Sequence, residues 1–147
     1  MTIRTTRNQI VDWGDGNQDT ITAYDQAEKN HTYAVAGDYV ISIVGRLDHW
    51  DSFYAGTNTN NKIQEIQAWG SIQWRDLSAA FFDCPNVTMT ATDAPDLSLC
   101  KYLFGTFQDA FAFQDVNNSF PLWDTSTIER LQSFLERAYL CNGDISG

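Results

Sequence analysis

The sequence predicts an α+β protein that is mainly β, with a small β-sandwich over residues 1–61 and a short stack of repeated units over residues 62–147. Three observations lead to this class. Strand-like runs flank a glycine-containing turn near the N-terminus, short extended runs reach residue 74, and a sequence pattern recurs after residue 76. Hydrophobic residues make up 43% of the 147 residues and aromatic residues 14%, which is enough apolar surface for a core.

The first two strands are predicted at 9–13 and 19–24, on either side of a turn that contains Gly14, Asp15 and Gly16. Asp-Gly between two strand-like runs favours a hairpin, because Gly and Asp tolerate the backbone angles of a tight turn. We therefore predict that Gly14 and Gly16 are structural residues, with backbone angles that are costly for other residues.

A further strand is predicted at 39–44, after a turn at Gly37 and Asp38. Both of its faces are largely apolar, which is typical of a strand buried on both sides within a sandwich. Residues 46–61 are polar and rich in Asn and Thr, so we expect a loop there. Two short strands are then expected in residues 62–74, divided by Gly70.

Segments 80–84, 106–110 and 134–138 resemble one another. Aligning Cys84, Ala110 and Ala138 gives spacings of 26 and 28 residues. This period is in the range of leucine-rich repeats, in which each unit buries its apolar side only against its neighbours. The alignment predicts equivalent buried sites for Phe81, Phe107 and Leu135.

A helix is predicted in the last of these units. Ser126 and Glu129 fit a capping box, in which their side chains satisfy free amides at a helix start. The apolar residues that follow are spaced so that they would share one helical face: Ile128, Leu131, Phe134, Leu135 and Ala138.

Two known families resemble the two halves. Residues 11–16 (VDWGDG), 31–33 (HTY) and 36–43 (AGDYVISI) resemble the PKD-type immunoglobulin-like domain. Residues 123–128 (WDTSTI) and 138–146 (AYLCNGDIS) resemble the repeats of BspA-type leucine-rich-repeat surface proteins. Trp123 and Asp124 belong to the second motif, and the resemblance implies structural roles for them.

The resemblance implies a non-enzymatic module for surface display, adhesion or assembly, with a protein or glycan partner and an extracellular or cell-surface location. The alternative is a structural or decoration protein of a phage virion, which would associate with copies of itself. A carbohydrate-active enzyme with paired carboxylates is the weakest of the three hypotheses.

Large aromatic residues within the polar loop suggest a contact patch for such a partner: Trp50, Phe53 and Tyr54. The alternative is that these rings fold back and cover the open side of the sandwich. Sequence alone does not decide between the two.

Three carboxylates surround the first turn, namely Asp12, Asp15 and Asp19, and their oxygens suit calcium. Their spacing differs from that of an EF-hand loop, and Asp is common in turns for local hydrogen-bonding reasons. No other cofactor is expected. The two histidines, His31 and His49, are not in a recognisable catalytic pattern.

The amino-acid composition limits the kinds of partner that we expect the chain to bind. The chain has 19 acidic and 9 basic residues and a net charge of -10, which argues against nucleic-acid binding because phosphates need a basic surface. No apolar window is long enough for a membrane span. Residues 1–4 lack the apolar core of a signal peptide, so we expect either an upstream export segment or another route out of the cell.

Overall fold

A computed structural model of the chain describes residues 2–4, 8–23, 25–52 and 60–142, with backbone alone for residues 2–4 and 51. This part is mainly β. Its strands, all short, are β1 (Thr2–Arg4), β2 (Gln9–Asp12), β3 (Gln18–Ile21), β4 (Ser42–Val44), β5 (Arg46–Leu47), β6 (His49–Asp51), β7 (Glu65–Ile66), β8 (Gln73–Trp74) and β9 (Thr88–Met89). Its helices are three 3₁₀ turns at Ala27–Lys29, Asn60–Lys62 and Phe120–Leu122.

The N-terminal sheet has the order β3-β2-β4, and all its pairs are antiparallel. The predicted hairpin is confirmed: Asp12 lies opposite Gln18, and the Trp13 amide donates to the Asn17 carbonyl at 3.0 Å. Gly14 and Gly16 have φ of 78° and 90°, as expected for the turn. In this sheet β2 is the central strand, because it pairs with β3 on one side and with β4 on the other.

The predicted burial of residues 39–44 on both faces is wrong. Among the described residues, β4 pairs with β2 alone and so lies at the edge of the sheet. Val44 in β4 is 56% exposed, and Val40 just before it is 59% exposed. The apolar run therefore predicted a strand correctly, but it did not predict how exposed that strand is. The β-sandwich remains a prediction.

Parallel pairing begins after Gly45. Strand β5 pairs with β8, which is followed by a bridge from Gln73 to Asp96. Strand β7 pairs with β9, which is followed by a bridge from Met89 to Asp115. The two short strands predicted in residues 62–74 are thus confirmed. The pairing of β5 with β8 links residues on both sides of the domain boundary predicted at residue 61.

Three further segments lie side by side: T1 (77–84), T2 (103–110) and T3 (131–138). Four T1 amides donate to the carbonyls of Tyr102, Phe104, Thr106 and Gln108 at 2.9 to 3.1 Å. Four T2 amides donate in the same register to the carbonyls of Arg130, Gln132, Phe134 and Glu136 at 2.9 to 3.0 Å. This register agrees with the alignment of Cys84, Ala110 and Ala138.

The helix predicted from Ser126 is wrong, because T3 is a series of turns. The Ser126 amide donates to Asp124 Oδ1 at 3.0 Å, and the Glu129 amide donates to the Lys101 carbonyl at 2.9 Å. The Glu129 carboxylate faces Lys101 Nζ at 3.1 Å, so it does not cap a helix. Ser126 and Glu129 keep structural roles of a different kind.

The core between these segments is rich in aromatic rings. Phe81 stacks on Phe107 with ring centroids 5.4 Å apart, and Phe107 stacks on Phe113 at 3.9 Å. Trp123 is 7% exposed and packs edge-on against Trp69 at 5.2 Å. The ring of Phe107 in T2 therefore contacts both neighbouring segments, through Phe81 of T1 and Phe134 of T3.

Candidate functional site

The backbone amides of T1, T2 and T3 alternate between two kinds of partner. Within each segment, every second amide donates to the carbonyl three residues earlier, as Thr106 does to Leu103 at 3.3 Å. In T1 and T2, the amides between them donate to the next segment, as Gly105 does to Gln132 at 3.0 Å. One set of bonds thus shapes a segment and the other set joins it to its neighbour.

Left-handed backbone conformations make this alternation possible, and they recur at equivalent positions. T1 has positive φ at Ala79 and Asp83, T2 at Gly105 and Asp109, and T3 at Ser133 and Arg137. A residue other than glycine pays a conformational cost there. That T3 carries the same two conformations indicates that it is shaped to donate outward as T1 and T2 do.

The outward amides of T3 have no acceptor among the described residues. They belong to Leu131, Ser133, Leu135 and Arg137, which correspond to the four T2 amides that donate to T3. We call the surface formed by residues 131–137 the terminal face. It presents a row of backbone donors, since the carbonyls of Leu131, Ser133 and Leu135 already accept bonds within T3.

Side-chain burial changes sharply at the terminal face. Leu77 of T1 and Leu103 of T2 are fully buried, whereas the equivalent Leu131 is 51% exposed. Phe81 and Phe107 are likewise buried, and Leu135 is half-buried. The predicted equivalence of these three sites therefore holds for the backbone, but Leu135 lacks the neighbour that covers the other two.

The terminal face is an open, shallow depression of about 440 Å³ with a mostly apolar lining. At its floor, the ring of Phe134 is held in place by edge-on packing against Phe107 at 5.5 Å and against Phe120 at 5.6 Å. Beside it, Tyr139 is 71% exposed and stacks on Phe111 at 5.8 Å. An apolar floor below a row of amide donors is suited to binding an extended or turning polypeptide.

The predicted contact patch is not found as such. Trp50 is 9% exposed and its ring lies 6.3 Å from that of Phe81, so it belongs to the core. Its prediction as an exposed binding residue is wrong, and its ring packs on T1, whereas the alternative placed it over the open side of a sandwich. Phe53 and Tyr54 lie outside the described residues.

The three carboxylates of the first turn have partners within the protein. Asp12 Oδ1 accepts the Gly14 amide at 2.9 Å, and Asp19 Oδ2 accepts the Trp13 indole N–H at 2.8 Å. Asp15 Oδ2 lies 2.8 Å from His31 Nε2. Among the described residues, no three His, Cys, Asp or Glu side chains are grouped so that they could hold a metal ion. Calcium binding by the three carboxylates stays an untested hypothesis.

His31 joins this turn to an aromatic cluster. Its ring stacks on Trp13 at 4.9 Å and meets the edge of Tyr33 at 4.6 Å, and Tyr33 stacks on Tyr39 at 4.2 Å. The hydrogen bond from His31 holds the pKa of Asp15 below its ordinary value, although partial desolvation opposes the shift. The geometry gives these residues a stabilising role in the hairpin.

The second histidine also faces a carboxylate. His49 Nδ1 lies 3.6 Å from Asp76 Oδ2, while the other oxygen of Asp76 accepts the Ser78 amide at 2.8 Å. Burial pushes the pKa of Asp76 upward, but the bonds from His49 and Ser78 outweigh it and the pKa is lowered. The pair links β6 to the start of T1.

The cysteines are free thiols, and two of them are buried. Burial raises the pKa of the Cys84 thiol to about 12, and it also raises the pKa of Cys100. Such thiols remain protonated near neutral pH and are poor nucleophiles. They fill space in the core, as small apolar residues do.

The spacings of 26 and 28 residues align T3 with T1 and T2. They do not show which T3 amides point outward, because that depends on the left-handed positions. Asp83, Asp109 and Arg137 align in the sequence, yet only the structure gives their φ values of 52°, 62° and 60°.

Comparison with known proteins gave no matching family model, no matching curated protein and no matching solved structure. No helix in the described ranges is long and apolar enough to cross a membrane.

Proposed function

We propose that this chain is a non-enzymatic module for display, adhesion or assembly, and that it binds a protein partner through the terminal face. The observation that carries the proposal is the row of outward amides at Leu131, Ser133, Leu135 and Arg137, whose equivalents in T1 and T2 all have acceptors. Unpaired donors above exposed apolar side chains favour association with another polypeptide.

The proposal includes the architecture suggested by the two resemblances. The antiparallel sheet β3-β2-β4 with its glycine turn supports a PKD-like N-terminal domain. Parallel pairing that recurs along the chain, together with the matching turns of T1, T2 and T3, supports a BspA-like leucine-rich-repeat solenoid. In that architecture, each repeat buries its apolar side against its neighbours, and the terminal face is a repeat surface that no described segment covers.

A protein ligand suits the terminal face better than a glycan does. Glycans are held by polar side chains and by an aromatic ring with an open face, whereas the depression is lined by Leu131, Phe134 and Leu135 with Ser133 and Glu136. Its polar groups are mainly backbone donors at alternate positions. A polypeptide backbone offers acceptors at the matching spacing.

Site-specific crosslinking in the organism that makes the protein tests this proposal. A photo-crosslinking residue, p-benzoyl-phenylalanine, replaces Leu131 on the terminal face, or Val35 in the matched control, where the side chain is 69% exposed but remote in sequence. We expect a discrete crosslinked protein from position 131 and none from position 35. Equal yields at both positions, or no crosslinked protein at position 131, would contradict the proposal.

The same experiment locates the protein. Recovery of the crosslinked complex from washed cell surfaces would place the module there, and recovery from purified phage particles would support the virion alternative. Recovery only from the cytoplasmic fraction would contradict both locations.

A further inference from the structure

We infer that the terminal face binds one more segment of the same kind as T1, T2 and T3, supplied by a repeat-bearing polypeptide that presents backbone carbonyls at alternate positions. This inference rests on the proposed function and names the chemistry of the partner. It follows from the polarity of the hydrogen bonds, from the continuity of an interface that already occurs twice, and from the way the other end of the segments is covered.

The polarity of the bonds selects the partner. From T1 to T2 and from T2 to T3, the earlier segment supplies the donors and the later one the acceptors in all eight backbone hydrogen bonds between the segments. T3 therefore needs acceptors in the order that Arg130, Gln132, Phe134 and Glu136 present to T2. A segment with this turn geometry offers those carbonyls, because its alternate amides bond internally.

The interface to be extended occurs twice in the chain. At each junction a leucine and an aromatic ring of the earlier segment are buried: Leu77 and Phe81 at the first, Leu103 and Phe107 at the second. Each of these rings packs against a ring of the later segment. Leu131 and Leu135 are in the same positions on the terminal face. A fourth segment would cover them as T2 and T3 cover their predecessors.

A second copy of this chain does not meet these requirements. Two terminal faces related by a two-fold axis would set donors against donors. At the opposite end, at T1, the Phe82 carbonyl already accepts a bond from Ser52 Oγ at 2.8 Å, and Ala80 is fully buried, so this end does not offer the full row of acceptors. The partner is therefore a repeat segment with an open acceptor row.

Polar side chains at the edge of the T2–T3 junction also indicate which partner would fit the terminal face. Asp109 of T2 is paired with Arg137 of T3, whose Nη2 lies 2.6 Å from Asp109 Oδ2. Gln108 of T2 bonds through Nε2 to Glu136 of T3 at 3.3 Å. At both of these positions, at the edge of the T2–T3 junction, a side chain of T3 bonds to a side chain of T2. We therefore expect a partner of the terminal face to place a hydrogen-bond donor near Glu136.

The test uses the 147-residue chain with a synthetic peptide of residues 124–142, which contains T3 and its acceptor carbonyls. Amide hydrogen exchange is followed by NMR with and without the peptide. We expect exchange at Leu131, Ser133, Leu135 and Arg137 to slow by about tenfold when the peptide is at ten times its Kd, since only about one site in eleven is then free.

The control peptide replaces the peptide bonds after Gln132 and Phe134 by trans-alkene isosteres, which keep the side chains but remove two acceptors, together with the Ser133 and Leu135 N–H groups that take no part in the predicted ladder. It should bind at least about tenfold more weakly if the ladder is formed, since two hydrogen bonds are lost. Equal binding of both peptides, protection at other amides, or no binding would overturn the inference.

The outcomes separate this inference from the proposed function. A crosslinked partner at position 131 together with failure of the peptide test would leave the binding role standing and remove the repeat-type partner. Protection of the four amides at high concentration of the chain alone would show that a second copy is the occupant, and this would also overturn the inference.

Discussion

Asp109 and Arg137 lie 28 residues apart in the chain, and their side chains form a bidentate ion pair across the junction of T2 and T3. Arg137 Nε lies 2.5 Å from Oδ1 and Nη2 lies 2.6 Å from Oδ2. Both residues have left-handed backbone conformations, with φ of 62° and 60°. The pair therefore ties two strained and equivalent positions together.

Replacing Asp109 tests this relationship. Asp109 is 7% exposed and bonded to Arg137. We expect Asp109→Ala to lower the free energy of unfolding by about 1–2 kcal/mol, through the lost pair and the poorer tolerance of Ala for positive φ. Urea denaturation measures it. Asp25→Ala, at an exposed carboxylate of the N-terminal part, is the control, and equal effects of the two changes would contradict the assignment.

The aromatic core makes a graded prediction. Phe107→Ala should cost about 3–5 kcal/mol, because the ring is fully buried between Phe81 and Phe134. Leu135→Ala should cost less than about 2 kcal/mol, because the equivalent position on the terminal face is only half-buried. Thermal or urea unfolding of both variants measures the difference. Equal losses would mean that another part of the protein covers Leu135.

The two glycines of the first turn should differ in their tolerance of a side chain. A Cβ at Gly14 would lie 2.5 Å from the Val40 carbonyl oxygen, whereas a Cβ at Gly16 would meet nothing within 4 Å. Gly16→Val should therefore cost about 1 kcal/mol or more from backbone strain alone, and Gly14→Ala should cost more than Gly16→Ala. Melting temperatures of the three variants test this. A Gly14→Ala protein as stable as the parent would refute the turn geometry.

Acid should weaken the first hairpin through Asp15. Its folded-state pKa is lowered, chiefly by the bond from His31, so the unfolded chain takes up the proton first as the pH falls. The stabilisation is therefore present above about pH 4 and is lost below it. Asp15→Asn should reduce the drop in melting temperature between pH 6 and pH 3. Asp25→Asn, at an exposed carboxylate, should leave the drop unchanged, and equal drops in all three proteins would contradict the role of Asp15.

The repeated spacing allowed T1, T2 and T3 to be aligned from sequence, but their backbone form was not predictable in this way. Leu131, Phe134, Leu135 and Ala138 have the three- and four-residue spacing of a helix. In T3 the same spacing arises from successive turns, interrupted by left-handed Ser133 and Arg137. Apolar periodicity alone does not distinguish the two, because both place every third or fourth side chain on one side.

The burial of Trp50 was also not predictable from its local sequence. The residue lies next to a polar stretch, which suggested an exposed ring. Among the described residues, its ring contacts that of Phe81, 31 residues later. Only the packing of β6 against T1 shows that the ring belongs to the core.

Residue-resolved amide hydrogen exchange of the isolated chain at low concentration tests the central claim of an open donor row most directly. The amides of Leu103, Gly105, Phe107 and Asp109 should be strongly protected, because each donates to T3. The equivalent amides of Leu131, Ser133, Leu135 and Arg137 should exchange much faster. Equal protection of the two sets would show that the terminal face is already covered, and absence of protection in T2 would contradict the ladder itself.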